Sequence, residues 1–282
     1  MPAQRTPYLL IAPSVLFLLV LFIWPLAETA LMAFRTPEQV WTGAYVAKMF
    51  GDLNFKVALR NTLILVLVVV PLQMVLALGM AMMLQKMQRG RMGFLYVWTI
   101  PLGVSDLAAG LAWLAIFTDR GYFNTVLGGV GLVSGPVSWL SYQNPAVLFA
   151  CVIVAELWRA TAIVLVILLA GVQLIPKEYD EAAEVFGAGP WTRFVKITLP
   201  LLRPSLQSAL ILRTVLAFEV FAVVYALAGR DLPILVGEAY NWQGAYQNTH
   251  VAAAYALFIL LLSIGATLFY LKALKVNRET LS

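Results

Sequence analysis

Apolar residues gather into six long blocks, 8–34, 58–84, 93–117, 145–171, 201–228 and 251–271, with short polar stretches between them. A helix needs about 20 such residues to cross a hydrocarbon core, so each block is long enough to span a membrane. The first is preceded only by Arg5 and is longer than the apolar region of a signal peptide, so it reads as an uncleaved span. The second, fourth and sixth are the most uniform. The third contains Pro101, Gly103, Ser105 and Asp106, a group of helix-breaking and polar residues that predicts an unwound segment. The fold class expected from this pattern is an all-α polytopic membrane protein of six transmembrane helices, with residues 1–282 forming a single domain.

One polar stretch, 176–200, has internal structure of its own. Its first half is acidic (Glu178, Asp180, Glu181, Glu184) and its second half basic (Arg193, Lys196). Pro176 is suited to open a helix, and early carboxylates suit the positive end of its dipole. Gly187 and Gly189 are placed to end that helix, Pro190 to start a second, and Pro200 to stop the segment at the next apolar block. The expected result is two short helices joined at a glycine elbow, a compact knob that another protein could grip.

Composition agrees with the pattern: 62% of residues are AVILMFWYC and only 12% are charged, against about a quarter in soluble domains. Cys151 is the single cysteine and His250 the single histidine, so neither a disulfide framework nor a metal cluster of these residues is expected. The net charge of +5 follows the loops. With both termini cytoplasmic, eleven cations lie inside (Arg5, Lys86, Arg89, Arg91, Lys177, Arg193, Lys196, Arg203, Lys272, Lys275, Arg278) and six outside (Arg35, Lys48, Lys56, Arg60, Arg120, Arg230). The positive-inside rule favours that orientation, which places 176–200 in the cytoplasm. The basic balance is therefore topological and gives no sign of a nucleic-acid partner.

The remaining loops are less specific. Residues 35–57 carry Trp41, Tyr45, Phe50 and Phe55, rings that usually sit at a membrane interface. The glycine-rich stretch 118–144 is suited to form a small external cap. Loop 229–249 combines Tyr240, Trp242 and Tyr246 with Asn241, Gln243, Gln247 and Asn248. That mixture suits stacking on sugar rings and bonding to their hydroxyls, and it equally suits an interfacial aromatic belt.

Charges inside the apolar blocks cost several kcal/mol unless paired or facing a cavity. Glu156 and Arg159 stand three apart in the fourth block, close enough for an intrahelical pair. Arg213 and Glu219 lie in the fifth, where Arg213, Leu216, Ala217 and Val220 share a helical stripe that excludes Glu219. Asp106 lies at the break in the third. Either these charges neutralise one another between helices or some of them line a substrate pathway. No phosphate-binding G-x-x-x-x-G-K-[ST] loop, Ser/His/Asp set or Cys/His set is present, so no catalytic residue is expected.

The 176–200 stretch resembles a known signature. Glu181, Ala182, Ala183, Gly187, Ile197, Leu199 and Pro200 match, at the right spacing, the cytoplasmic loop of ABC importer permeases. The likeness extends to LIAPSVLFLLVLFIWPLAETALMAF, RNTLILVLVVVPLQMVLALGMAMML, the run into the loop, and RTVLAFEVF at 213–221. These are similar to maltose-type carbohydrate permeases, of the first of their two permease types. The chain departs from the family pattern at Phe186 and Ala222, where relatives commonly carry Asp, and at Gly229-Arg230-Asp231-Leu232-Pro233, where a Gly-Gly-rich turn is usual.

The resemblance implies a non-enzymatic, multi-pass subunit of a bacterial or archaeal cytoplasmic (inner) membrane. It implies four kinds of partner: a second permease, two ATP-binding cassette subunits, an extracytoplasmic substrate-binding protein, and a di- or oligosaccharide cargo such as a trehalose- or maltose-type sugar. No cofactor or metal is expected on this chain, ATP and Mg belonging to the ATPase subunits. The signature residues would couple to the ATPases. Arg159, Ala160, Arg213, Leu216, Ala217 and Val220 would line the pathway, with Asp106, Glu156 and Glu219 as buried charges. Two other readings stand beside this one: an importer of an anionic solute such as a phosphorylated polyol, with the arginines facing the anion, and a proton-coupled secondary transporter using Asp106, Glu156 or Glu219.

Overall fold

The computed structural model describes residues 6–274. Arg5, Lys275 and Arg278, three of the cations in the orientation count, lie outside the described residues. Four helices are long and apolar enough to cross a membrane: Leu9–Met32, Phe55–Lys86, Pro145–Gln173 and Thr249–Ala273. Two bent pairs raise the number to six if each is one span: Arg91–Gly103 with Asp106–Gly129, bent by 105°, and Arg203–Phe218 with Ala222–Ala228, bent by 45°. The architecture is all-α and membrane-spanning, with only an isolated bridge between Arg35 and Trp41 among the described residues.

The break in the third span falls where the sequence places it. Residues Ile100–Gly103 tighten into a 3-10 turn, and the Ser105 hydroxyl accepts a hydrogen bond from the Ala108 N–H at 3.2 Å, capping the next helix at Asp106. The fifth-span break was not foreseen. The helix ends at Phe218, Glu219 is its C-cap, and Phe221 takes φ −136° before the chain turns helical again at Ala222.

Prolines behave less disruptively than their usual effect suggests. Pro71 lies inside the unbroken Phe55–Lys86 helix. Contrary to the expectation from sequence, Pro200 does not stop the segment; it lies within the helical turn Leu199–Leu201. The preceding Phe194–Thr198 segment is a π-helix, and the same pairing occurs at Leu19–Ile23 before Pro25. A π turn moves carbonyls out of the i−4 register, which relieves the clash a proline ring makes there and accommodates its missing N–H.

The chain divides into two compact units, described separately. The first contains, of the described residues, 6–58 and 235–261. Asp52 organises it: its Oδ2 accepts from the Trp242 indole N–H at 2.6 Å and from the Tyr255 hydroxyl at 2.9 Å. Lys48 lies over the Trp242 ring at 5.0 Å, and Phe50, Phe55 and Phe258 stack edge-on around one another. In the loop singled out for sugar-type chemistry, Trp242 is thus spent on Asp52, and Asn248 caps the last helix by accepting from Val251 N–H at 3.1 Å.

The second unit contains residues 59–234 and, of the described C-terminal residues, 262–274. Its apolar core joins Leu65 and Val69, Phe117, Leu148 to Ala155, and Val220 to Ala228. Inside a bilayer such contacts gain little from the hydrophobic effect, so close packing of small residues matters more. A Cβ built on Gly110 would come within 2.7 Å of the Ala226 Cβ, and one on Gly171 within 2.2 Å of the Ser205 Oγ. Polar ties close the segment ends. Asn61 donates to the Pro233 carbonyl at 2.9 Å, and the Gln207 amide donates to the Tyr270 and Leu274 carbonyls at the end of the last helix. Asn124 knots the 118–139 loop, donating to the Asp119 and Val137 carbonyls and accepting from the Trp139 indole.

Candidate functional site

Two features of the second unit carry polar chemistry. The first is a chain of charged side chains at mid-span. Arg159 stands at the centre of the 29-residue helix Pro145–Gln173, fourteen residues from either end. At 1.5 Å per residue that is roughly 20 Å from each terminus, so the group lies where a membrane is most apolar.

Arg159 grips Glu156 through a forked contact, Nε to Oε1 and Nη2 to Oε2, each at 3.1 Å. Its Nη1 donates to Asp106 Oδ1 at 2.6 Å. Glu156 Oε2 accepts as well from Arg213 Nη2 at 3.0 Å. Gln73 completes the set: its amide N–H donates to the Glu156 backbone carbonyl at 2.8 Å, and its carbonyl accepts from Arg213 Nε. Spans two to five each contribute a member. Two carboxylates and two guanidinium groups balance.

Burial is graded along the chain. The side chains of Glu156 and Arg213 are 1% exposed, Arg159 16% and Asp106 53%. Gln73 is fully buried. Charges taken out of water are tolerated only when each is paired and its remaining hydrogen-bonding groups are met. Arg213 Nη1 is sealed from solvent without a partner.

Of the residues the sequence singled out, this geometry joins Asp106, Glu156, Arg159 and Arg213. Glu219 stands apart, exposed at the end of its helix. Ala160, Ala217 and Val220 are buried, whereas Leu216 is 37% exposed. The expected stripe is interrupted, because Val220 lies beyond the helix end at Phe218. Gln73 was missed, although a lone amide in the run VVVPLQMVLAL is itself a signal, since a polar group buried there needs a partner.

The second feature is the 176–200 segment. Lys177–Val185 is helical, with Pro176 as its cap and Glu178 and Asp180 in the first turn. The helix ends in a Schellman motif. Ala188 N–H reaches the Ala183 carbonyl and Gly187 N–H the Glu184 carbonyl, both at 2.9 Å, while Gly187 takes φ +77°. Pro190 then starts the second helical segment. Arg193 braces the two, its Nη1 at 2.7 Å from Glu184 and 3.3 Å from Asp180. The elbow leaves a strongly apolar ridge uncovered: Val185 is 86% exposed, Phe186 89% and Trp191 75%. Glu181 and Ala182 are exposed beside it. Behind the knob, a pocket of about 230 Å³ is lined by Gln85 and Lys86 from the second span and by Lys177, Glu181, Arg193 and Ile197. Among the described residues no group of His, Cys, Asp and Glu is arranged to hold a metal ion.

The chain is similar over nearly its whole length to membrane transport proteins. It is 30% identical to the trehalose/maltose transport system permease protein MalF of Thermococcus litoralis, over 96% of this chain and 94% of the relative. It is also 30% identical to the sulfoquinovosyl glycerol transport system permease protein SmoG of Agrobacterium fabrum, over 95% and 90%. Its fold matches a solved bacterial ABC transporter involved in import of the acidic polysaccharide alginate, with TM-score 0.80 at 22% identity over 95% of this chain and 94% of that one. The model of one family covers residues 95–272, a stretch that holds the whole charged network except Gln73 and all of the 176–200 knob. The chain belongs to the family of binding-protein-dependent transport system inner membrane components.

Proposed function

We propose that this chain is a permease subunit of an ATP-driven importer for a di- or oligosaccharide of the trehalose or maltose type. It forms the translocation pathway with a second permease and receives cargo from an extracytoplasmic binding protein. Two ATPase subunits drive it, and ATP and Mg are bound there, since this chain has no phosphate loop. The subunit lies in the inner membrane with both ends and the 176–200 knob in the cytoplasm.

The observation that carries this reading is the knob itself. Glu181, Ala182, Ala183, Gly187, Ile197, Leu199 and Pro200 belong to a braced helix pair whose apolar ridge, Val185, Phe186 and Trp191, is left open to solvent. Large apolar side chains left exposed on a polar segment mark docking surfaces. An ATPase cleft that closes on ATP would pull on such a rigid handle, and the bracing by Arg193 transmits the pull to the fifth span. Arg159, Ala160, Arg213, Leu216, Ala217 and Val220 lie on or beside the pathway, with the paired charges next to it.

The test is uptake of radiolabelled maltose and trehalose into proteoliposomes holding the complete transporter, with its binding protein outside and ATP supplied on the other face. Uptake of either sugar that depends on ATP supports the reading. Transport that persists without ATP and follows an imposed proton gradient would replace it with a secondary carrier.

A further inference from the structure

The relatives leave the charge of the cargo open, since one is named for trehalose and maltose and another for the sulfonated sulfoquinovosyl glycerol. The mid-span network bears on that choice. We propose that Asp106 is a specificity-determining residue that makes this pathway select a neutral polyhydroxylated cargo and reject an anionic one. The inference rests on the sugar-importer reading above and deepens it.

Asp106 is half exposed, yet it is anchored at 2.6 Å to Arg159, the residue at the centre of a membrane-length helix. An ionised carboxylate at that depth is not stable against lipid, so its open side faces water, cargo or a partner subunit along a polar path. Behind it, no cation is available to an anion. Arg159 uses Nε and Nη2 on Glu156 and Nη1 on Asp106. Arg213 uses Nε on Gln73 and Nη2 on Glu156, and its free Nη1 is sealed away with a side chain 1% exposed. The network is electroneutral and its only well-exposed charged member is negative.

The backbone strengthens the argument. Asp106 occupies the first turn of the Asp106–Phe117 helix, where the unpaired N–H groups would otherwise attract an anion. Its carboxylate offsets that field, while its free lone pairs can accept hydrogen bonds from sugar hydroxyls. Replacing it by Asn would remove the counter-charge from the exposed edge of the Arg159 guanidinium and weaken the negative field at the helix start. The same place would then accept a carboxylate.

The test uses the assembled transporter in nanodiscs without its binding protein, so that the binding protein's own selectivity does not intervene. Maltose, trehalose and maltobionate, the last carrying one carboxylate, are titrated with binding read by saturation-transfer NMR. Wild type should bind a neutral disaccharide at least about tenfold more tightly than maltobionate, the size expected of one unit charge partly screened by water. Asp106→Asn should shift that ratio about tenfold towards maltobionate, and Asp106→Glu should keep the wild-type order.

Maltobionate bound as well as maltose by wild type would overturn the proposal, as would an unchanged ratio in Asp106→Asn. If Asp106→Asn does not assemble, the wild-type ratio and the Asp106→Glu order still decide. ATP-driven uptake of maltose or trehalose without any wild-type preference for them here would overturn the inference and leave the importer reading standing. Absence of uptake and of binding for both neutral sugars would remove the sugar reading, and the inference with it.

Discussion

Glu156 is the residue on which both arginines depend. It accepts from Arg159 twice and from Arg213 once, all with its side chain 1% exposed. Removing one partner of a buried ion pair costs roughly 3–5 kcal/mol, because the other charge is left uncompensated. Glu156→Gln should therefore lower the yield of folded protein sharply. Adding Arg213→Met, which removes the cation with the least access to water, should recover more of that yield than adding Arg159→Met. Arg159 is 16% exposed and retains Asp106 as a counter-charge. Fluorescence-detected size exclusion of the three variants in the same detergent checks the order. The sequence made the Glu156–Arg159 pair legible from spacing alone, whereas Arg213 and Gln73 join it across 57 and 83 or more positions of chain, which local spacing does not reveal.

Among the elements, the glycine elbow and the tight glycine contacts make the sharpest demands. At Gly110 an added methyl group would sit 2.7 Å from the Ala226 Cβ, 3.1 Å from the Val223 Cα and 3.3 Å from the Ala222 carbonyl, two of the three on backbone. Gly110→Ala should cost about 1–3 kcal/mol of stability, and Gly110→Val should prevent assembly. Thermal unfolding in detergent, with the midpoint falling for Ala and no folded peak for Val, checks this. Gly187 makes a different demand. Nothing lies within 4 Å of its hypothetical Cβ, so only its φ of +77° resists a side chain. Gly187→Asn should be tolerated better than Gly187→Val, since Asn enters the left-handed region more easily; uptake assays at matched expression separate the two.

These elements also show where sequence reasoning carried and where it stopped. The Gly187 turn and the third-span break were legible because glycine, proline, serine and aspartate mark backbone demands directly. The kink at Glu219–Phe221 was not, because FEVFAVV contains no glycine or proline. Pro200 misled for a related reason. Its effect was absorbed by the π turn just before it, and no residue type announces that turn.

For the whole molecule, the exposed surfaces say how it must be completed. The window of the first span, Leu9–Met32, is 0% buried by the rest of the chain, so lipid or another subunit covers it. The Val185–Phe186–Trp191 ridge is equally bare but belongs to a polar loop, which lipid does not cover. Trp191→Asp should leave the permease in the membrane and greatly reduce co-purification of the ATPase subunits. Undiminished recovery would mean that they dock elsewhere.

The central claim is that the knob converts ATP turnover into transport, and the coupling ratio of Gly187→Pro tests it most directly. Proline fixes φ near −65°, against the +77° observed, and removes the N–H that bonds the Glu184 carbonyl. Sugar taken up and ATP hydrolysed are measured together in proteoliposomes of the complete transporter. The expected result is an assembled complex whose uptake per ATP falls at least about tenfold below wild type. Uptake per ATP equal to wild type would contradict the account.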